Sequence, residues 1–126
     1  MEDPDDWFIY ETELFVEEVS QYLGDFELSA LRRQLVHEPF AGKLITGASP
    51  LSRVDYAGAT IIYSVNLARH TITLIQIGKA TSSAVEIDES VKPKLKEITG
   101  LLRKGGYFAA GKEAFEWLIG VVKDWL

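Results

Sequence analysis

The segment 51–79, LSRVDYAGATIIYSVNLARHTITLIQIGK, decides the reading of this chain. Three strands with tight connections are expected in it. Residues 51–56 place Val54 and Tyr56 on one face. Ala57-Gly58 is a turn signal. Residues 59–67 are rich in β-branched and aromatic types, which suit a pleated, half-buried surface. Ala68-Arg69-His70 is a short connection. In 71–77, strict alternation puts Thr71, Thr73, Ile75 and Ile77 on one face and Ile72, Leu74 and Gln76 on the other. Strand-forming types occupy both faces, so this strand is expected to be covered on both sides. An antiparallel meander of this kind needs a layer packed on it.

The flanking segments supply such layers. Residues 7–10 (WFIY) are strand-prone and are expected to add to the sheet. Thr12 is a candidate N-cap, because its hydroxyl can accept from early helix amides. Leu14, Phe15, Val19, Tyr22 and Leu23 follow at helical spacing, and Gly24 ends that helix. A second helix starts at Asp25 or Ser29, buries Leu28, Leu31, Leu35 and Val36, and stops before Pro39. The two form a helical hairpin. Residues 40–50 read as a loop with a short extended piece at Leu44-Ile45. Beyond the sheet, residues 85–87 are expected to be extended. A helix follows from Asp88 or Ser90 to about Lys104, with Pro93 in its first turn and Gly105-Gly106 as its stop. Ala114, Phe115, Leu118, Ile119, Val122, Trp125 and Leu126 mark a last amphipathic helix. The predicted fold class is α+β. A small antiparallel sheet packs on the N-terminal hairpin, with additional helices at the C-terminal end. One domain is expected over 1–126, with a core at 7–79 and a helical extension at 88–126.

Composition narrows the function classes. The 126 residues include no cysteine, which removes disulfides and thiolate chemistry. No apolar run approaches the roughly 20 residues that span a bilayer, so no membrane partner is expected. The acidic start, MEDPDDW, is unlike a basic signal peptide, and a cytoplasmic location is expected. The net charge is −6. Residues 1–87 hold 13 acids against 6 bases, and the first basic residue is Arg32. This balance favours a basic partner over nucleic acid, which needs a cationic patch.

With these elements placed, residues 7–79 resemble the RelE/HigB superfamily of type II toxin–antitoxin toxins. The order of strand, helical hairpin and three-stranded meander is similar. The loop HEPFAGKLITGASPL (37–51) resembles the family's helix end, proline, Ala-Gly, apolar pair and leucine-led strand. ATIIYSV (59–65) resembles the family's Arg-Val-Ile-Tyr strand through Ile61, Ile62 and Tyr63. TLIQIGKA (73–80) resembles its last strand. The resemblance implies an mRNA interferase, an endoribonuclease needing no cofactor. Its implied partners are a cognate antitoxin protein, messenger RNA and the ribosome.

Family chemistry uses sheet arginines and lysines to hold phosphate, because fixed cations stabilise the charge that builds in cleavage. This chain departs from that pattern. Ser52 and Asp55 stand where the leucine-led strand carries arginines, and Thr60 replaces the arginine of Arg-Val-Ile-Tyr. Lys79 and Arg53 remain as candidate catalytic residues. Tyr56, Tyr63 and Arg69 are candidates for substrate binding, the tyrosines by stacking on bases. Each also has a plainer reading. Lys79 suits a solvated strand end, Arg53 a cross-strand ion pair, and the tyrosines sheet packing. His37 and His70 lack the companions of a metal site, and no metal is expected. The departures admit a second function, a catalytically degenerate fold acting as a protein-binding module. Residues 107–126 exceed the usual family length. They are expected either to complete the core, or to shield a sheet face or form a homo-oligomer contact.

Overall fold

The computed structural model describes residues 7–45, 50–80 and 87–126, without the side chains of 106–109. Five strands and four helices follow one another in the chain. They are β1 (Phe8–Glu11), α1 (Glu13–Glu18), α2 (Asp25–His37), β2 (Lys43–Leu44), β3 (Leu51–Tyr56), β4 (Ala59–Asn66), β5 (Thr71–Lys79), α3 (Lys92–Ala110) and α4 (Lys112–Lys123). A 3-10 turn, Val19–Gln21, extends α1 toward Gly24. The sheet order is β1-β5-β4-β3-β2. β1 runs parallel to β5 and every other pairing is antiparallel, so the sheet is mixed. The fold class is α+β, as the residue pattern implies.

The meander forms for the reasons read from its residues. Ala57 and Gly58 both take positive φ, 51° and 82°, so the chain reverses in two residues between β3 and β4. The apolar side chains then divide between the faces. On the first face, Ile61, Tyr63, Ile72, Leu74 and Ile77 pack against Phe15, Val19, Leu31 and Leu35 of the α1–α2 hairpin. On the second, Leu51, Ile62 and Ile75 pack against Leu95, Ile98 and Leu102 of α3 and Phe115, Leu118 and Val122 of α4. The C-terminal helices therefore complete a second core and shield a sheet face. Lys94 of α3 sits 4.8 Å over the Trp117 ring of α4, tying the pair together.

Two expectations are corrected. β5 does not alternate strictly. Ile62 pairs with Gln76 while Tyr63 pairs with Leu74, leaving Ile75 as an extra residue, a β-bulge. Every side chain after the bulge changes face. Ile77 thus joins Ile72 and Leu74, and Gln76 joins Ile62. Thr12 supports the irregularity: its hydroxyl donates to the Ile75 carbonyl at 2.7 Å and accepts from the Phe15 amide at 3.1 Å. One side chain thereby caps α1 and satisfies the bulge.

The second correction concerns α3, which passes through Gly105-Gly106 to Ala110. A helical glycine costs only about 1 kcal/mol against alanine, an amount tertiary packing overrides. The break falls at Gly111, whose φ of 87° an L side chain rarely adopts. The expected extended piece at 85–87 lies mostly outside the described residues. The piece expected at Leu44-Ile45 is β2, one residue earlier.

Candidate functional site

Register places the candidate side chains. On β3, Arg53 pairs with Ile62 and Asp55 with Thr60, so both point to the second face. Lys43 of β2 pairs with Arg53 and is exposed beside it on that face. Gly78 of β5 pairs with Thr60. A Cβ at Gly78 would lie 2.8 Å from the Leu126 Cβ, so the segment after α4 seats directly on the strand there. The result is a small polar patch at the β2–β3 edge, beside the end of the C-terminal helical layer.

Within the patch the charges answer one another. The Arg53 Nε lies 3.4 Å from Asp55 Oδ1 and an Arg53 terminal nitrogen 3.5 Å from the Thr60 hydroxyl. Thr60 donates to the same Asp55 oxygen at 2.6 Å. The Arg53 side chain is 17% exposed, whereas Asp55 is 56% exposed. A phosphate approaching Arg53 therefore meets the Asp55 carboxylate first and competes with it for the guanidinium.

The loop that delivers Lys43 is held from beneath. Tyr63 is fully buried, and its hydroxyl donates to the Pro39 carbonyl at 3.1 Å and accepts from the Gly42 amide at 2.9 Å. Burial raises the Tyr63 pKa above its ordinary value, with the Gly42 amide and Ser52 pulling the other way. Gly42 is needed for this approach, because a Cβ there would stand 2.5 Å from the Tyr63 oxygen.

The expected site residues are not gathered in one place. Lys79 pairs with Ala59 and so belongs to the first face, opposite Arg53. Strict alternation would have left it on the second; the bulge at Ile75 moved it. Tyr56 lies partly buried on the first face against the hairpin core. Tyr63 is enclosed and presents no ring to a base. Arg69 is exposed in the β4–β5 turn, where its amide donates to Asn66 Oδ1 at 2.9 Å. His37 is exposed at the end of α2. His70 stacks on Trp7 at 4.7 Å, with 9° between the rings. Among the described residues no group of His, Cys, Asp or Glu is placed to hold a metal ion. No described helix is long and apolar enough to cross a membrane. Lys43 was missed by sequence reasoning, since a two-residue strand leaves no periodic signal.

Solved structures similar to this chain include three from Escherichia coli. An arginine-to-alanine double mutant of the toxin RelE in the free state is 23% identical, with a TM-score of 0.49, over 61% of this chain and 86% of its own. The intact RelBE toxin–antitoxin complex is 24% identical at 0.48, over 60% and 99%. The isolated RelE toxin is 24% identical at 0.47, over 74% and 99%. No protein-family model and no curated protein matches the chain.

Proposed function

We propose that this protein is the toxin component of a type II toxin–antitoxin pair of the RelE/HigB class, acting on messenger RNA at the ribosome and held in check by an antitoxin protein. The observation that carries this reading is the architecture: a strand, a helical hairpin and a meander, in the sheet order β1-β5-β4-β3-β2 with β1 parallel to β5. In it Arg53 is the phosphate-holding cation, Lys43 its neighbour, and Lys79 a separate contact on the other face. Tyr63 positions the loop that carries Lys43. Tyr56 and Arg69 are peripheral contacts. Preorganised cations of this kind are worth about 10²–10³ in rate when they face developing charge.

Inducible expression in a bacterial host tests this. Growth arrest is expected, with ribosome-dependent cleavage of messenger RNA. Arg53→Ala combined with Lys43→Ala should relieve both, and Lys79→Ala should have a smaller effect. Unimpeded growth with folded protein present would count heavily against the toxin.

A second reading rests on the Asp55–Arg53–Thr60 interaction. If Asp55 answers Arg53 for good, the fold serves as a protein-binding module without nuclease activity. Asp55→Ala separates the two readings. An RNA-cleaving protein should gain activity as competition for Arg53 is removed, and a binding module should remain inert.

A further inference from the structure

The sheet has two edges, and they are guarded differently. β2 closes one of them with two residues and the exposed Lys43, a short charged edge that discourages further pairing. β1 forms the other, and its sequence FIYE has neither lysine nor proline. The amides of Phe8 and Thr12 donate inward, to the carbonyls of His70 at 2.9 Å and Leu74 at 3.1 Å. Alternation along the strand therefore turns the amides and carbonyls of Ile9 and Glu11 outward, to the open edge. Phe8 is 66% exposed and Tyr10 52% exposed, so two rings on this strand are surface that association would bury.

The strand is complementary to a copy of itself. Set antiparallel about Tyr10, each Ile9 faces Glu11 of the partner subunit in the hydrogen-bonded kind of pair, which exchanges both N–H···O bonds. Tyr10 then lies on the axis, opposite its own copy. Glu11, the one charged residue of the strand, is already neutralised by Arg32 of α2. The two ends of the strand carry opposite charge. Arg69 stands in the turn at the Phe8 end, where the Phe8 amide binds His70, and Glu13 opens α1 at the other end; both are exposed. Antiparallel pairing brings each Arg69 end toward a Glu13 end, whereas parallel pairing would oppose like charges.

We propose that two copies of this chain associate through β1, antiparallel about a two-fold axis at Tyr10, and join their sheets into one continuous sheet. An isologous contact of this kind closes on itself and stops at a dimer. Because the Arg53 patch lies at the opposite edge of the sheet, the proposal is independent of RNA cleavage and of the toxin reading.

Sedimentation equilibrium of the full chain gives the first test, with a concentration-dependent dimer expected. Tyr10→Lys sets two ammonium groups across the axis and should weaken dimerisation by about a hundredfold or more. Tyr10→Glu should do the same. An equimolar mixture of the two variants should restore a heterodimer, because position 10 meets position 10 across this axis. The chain has no cysteine, so single replacements report proximity cleanly. Tyr10→Cys should cross-link two copies rapidly on mild oxidation. Phe8→Cys, whose copy lies on the order of 13 Å away along the strand, should cross-link far more slowly. Circular dichroism verifies that each variant is folded. A chain that stays monomeric up to about 1 mM would overturn the proposal. So would a dimer indifferent to Tyr10→Lys, which would place the contact elsewhere, or equal cross-linking at positions 8 and 10.

Discussion

The two faces of the sheet are both buried, yet they are built differently. The first carries a nearly continuous apolar surface from Ile61 to Ile77 beneath the N-terminal hairpin. The second mixes Ile62 and Ile75 with buried Thr60, Ser64, Asn66, Thr73 and Gln76 beneath α3 and α4. Asn66 spends its amide on the Leu102 carbonyl at 3.0 Å, anchoring α3 to β4. Among the described residues the Gln76 amide oxygen is buried with no hydrogen-bond partner. The first face is organised for stability. The second retains polar groups that a stability-driven core would exclude, and it holds the Arg53 patch. A buried polar group without a partner costs free energy, so such groups mark where packing has been compromised.

The largest test of the contrast lies on the first face. Phe15→Ala removes a fully buried ring and should cost about 3–5 kcal/mol in chemical denaturation. A loss below about 1 kcal/mol would mean that the hairpin core is not the main source of stability.

Next comes Tyr63→Phe, which strands the Gly42 amide and the Pro39 carbonyl and should cost about 1–2 kcal/mol. It carries a pH signature as well. The folded pKa is raised above the ordinary 10.0, so the native state holds the proton more tightly than the unfolded chain. That contribution is fully present below pH 10 and is lost as pH rises from there through the folded value. Urea midpoints measured on either side of pH 10 should fall more steeply for the wild type than for Tyr63→Phe. Parallel slopes would show that Tyr63 ionises as it would in water.

The smallest effect is expected on the second face, with the opposite sign. Gln76→Met replaces a buried amide with a flexible apolar side chain and should leave stability unchanged or raise it by up to about 1 kcal/mol. A clear loss of stability would show that the Gln76 amide is a structural anchor and that the two faces are alike in kind.

Much of the architecture was legible because local chemistry and tertiary packing agree. The N-cap at Thr12, the reversal at Ala57-Gly58, the hairpin ending before Pro39 and the three strands are all carried by short-range patterns. The α3 boundary was not, because Gly105-Gly106 signals a break that packing overrides. The candidate site was less legible still. Its chemical character was visible in Asp55 and Thr60, where basic residues were expected. Its membership was not, because neighbours across a sheet are set by register.

The meander 51–79 shows where that division falls. Composition and alternation alone determined that it is three strands, the last of them covered on both sides, and that it is poor in positive charge. Only the tertiary structure decided which side chains share a face. A single extra residue at Ile75, stabilised by the distant Thr12 hydroxyl, turned Lys79 away from Arg53 and brought Gln76 under the C-terminal helices. A bulge costs little locally and is supported by a contact 63 residues away in sequence. Periodicity within the strand therefore carries no sign of it.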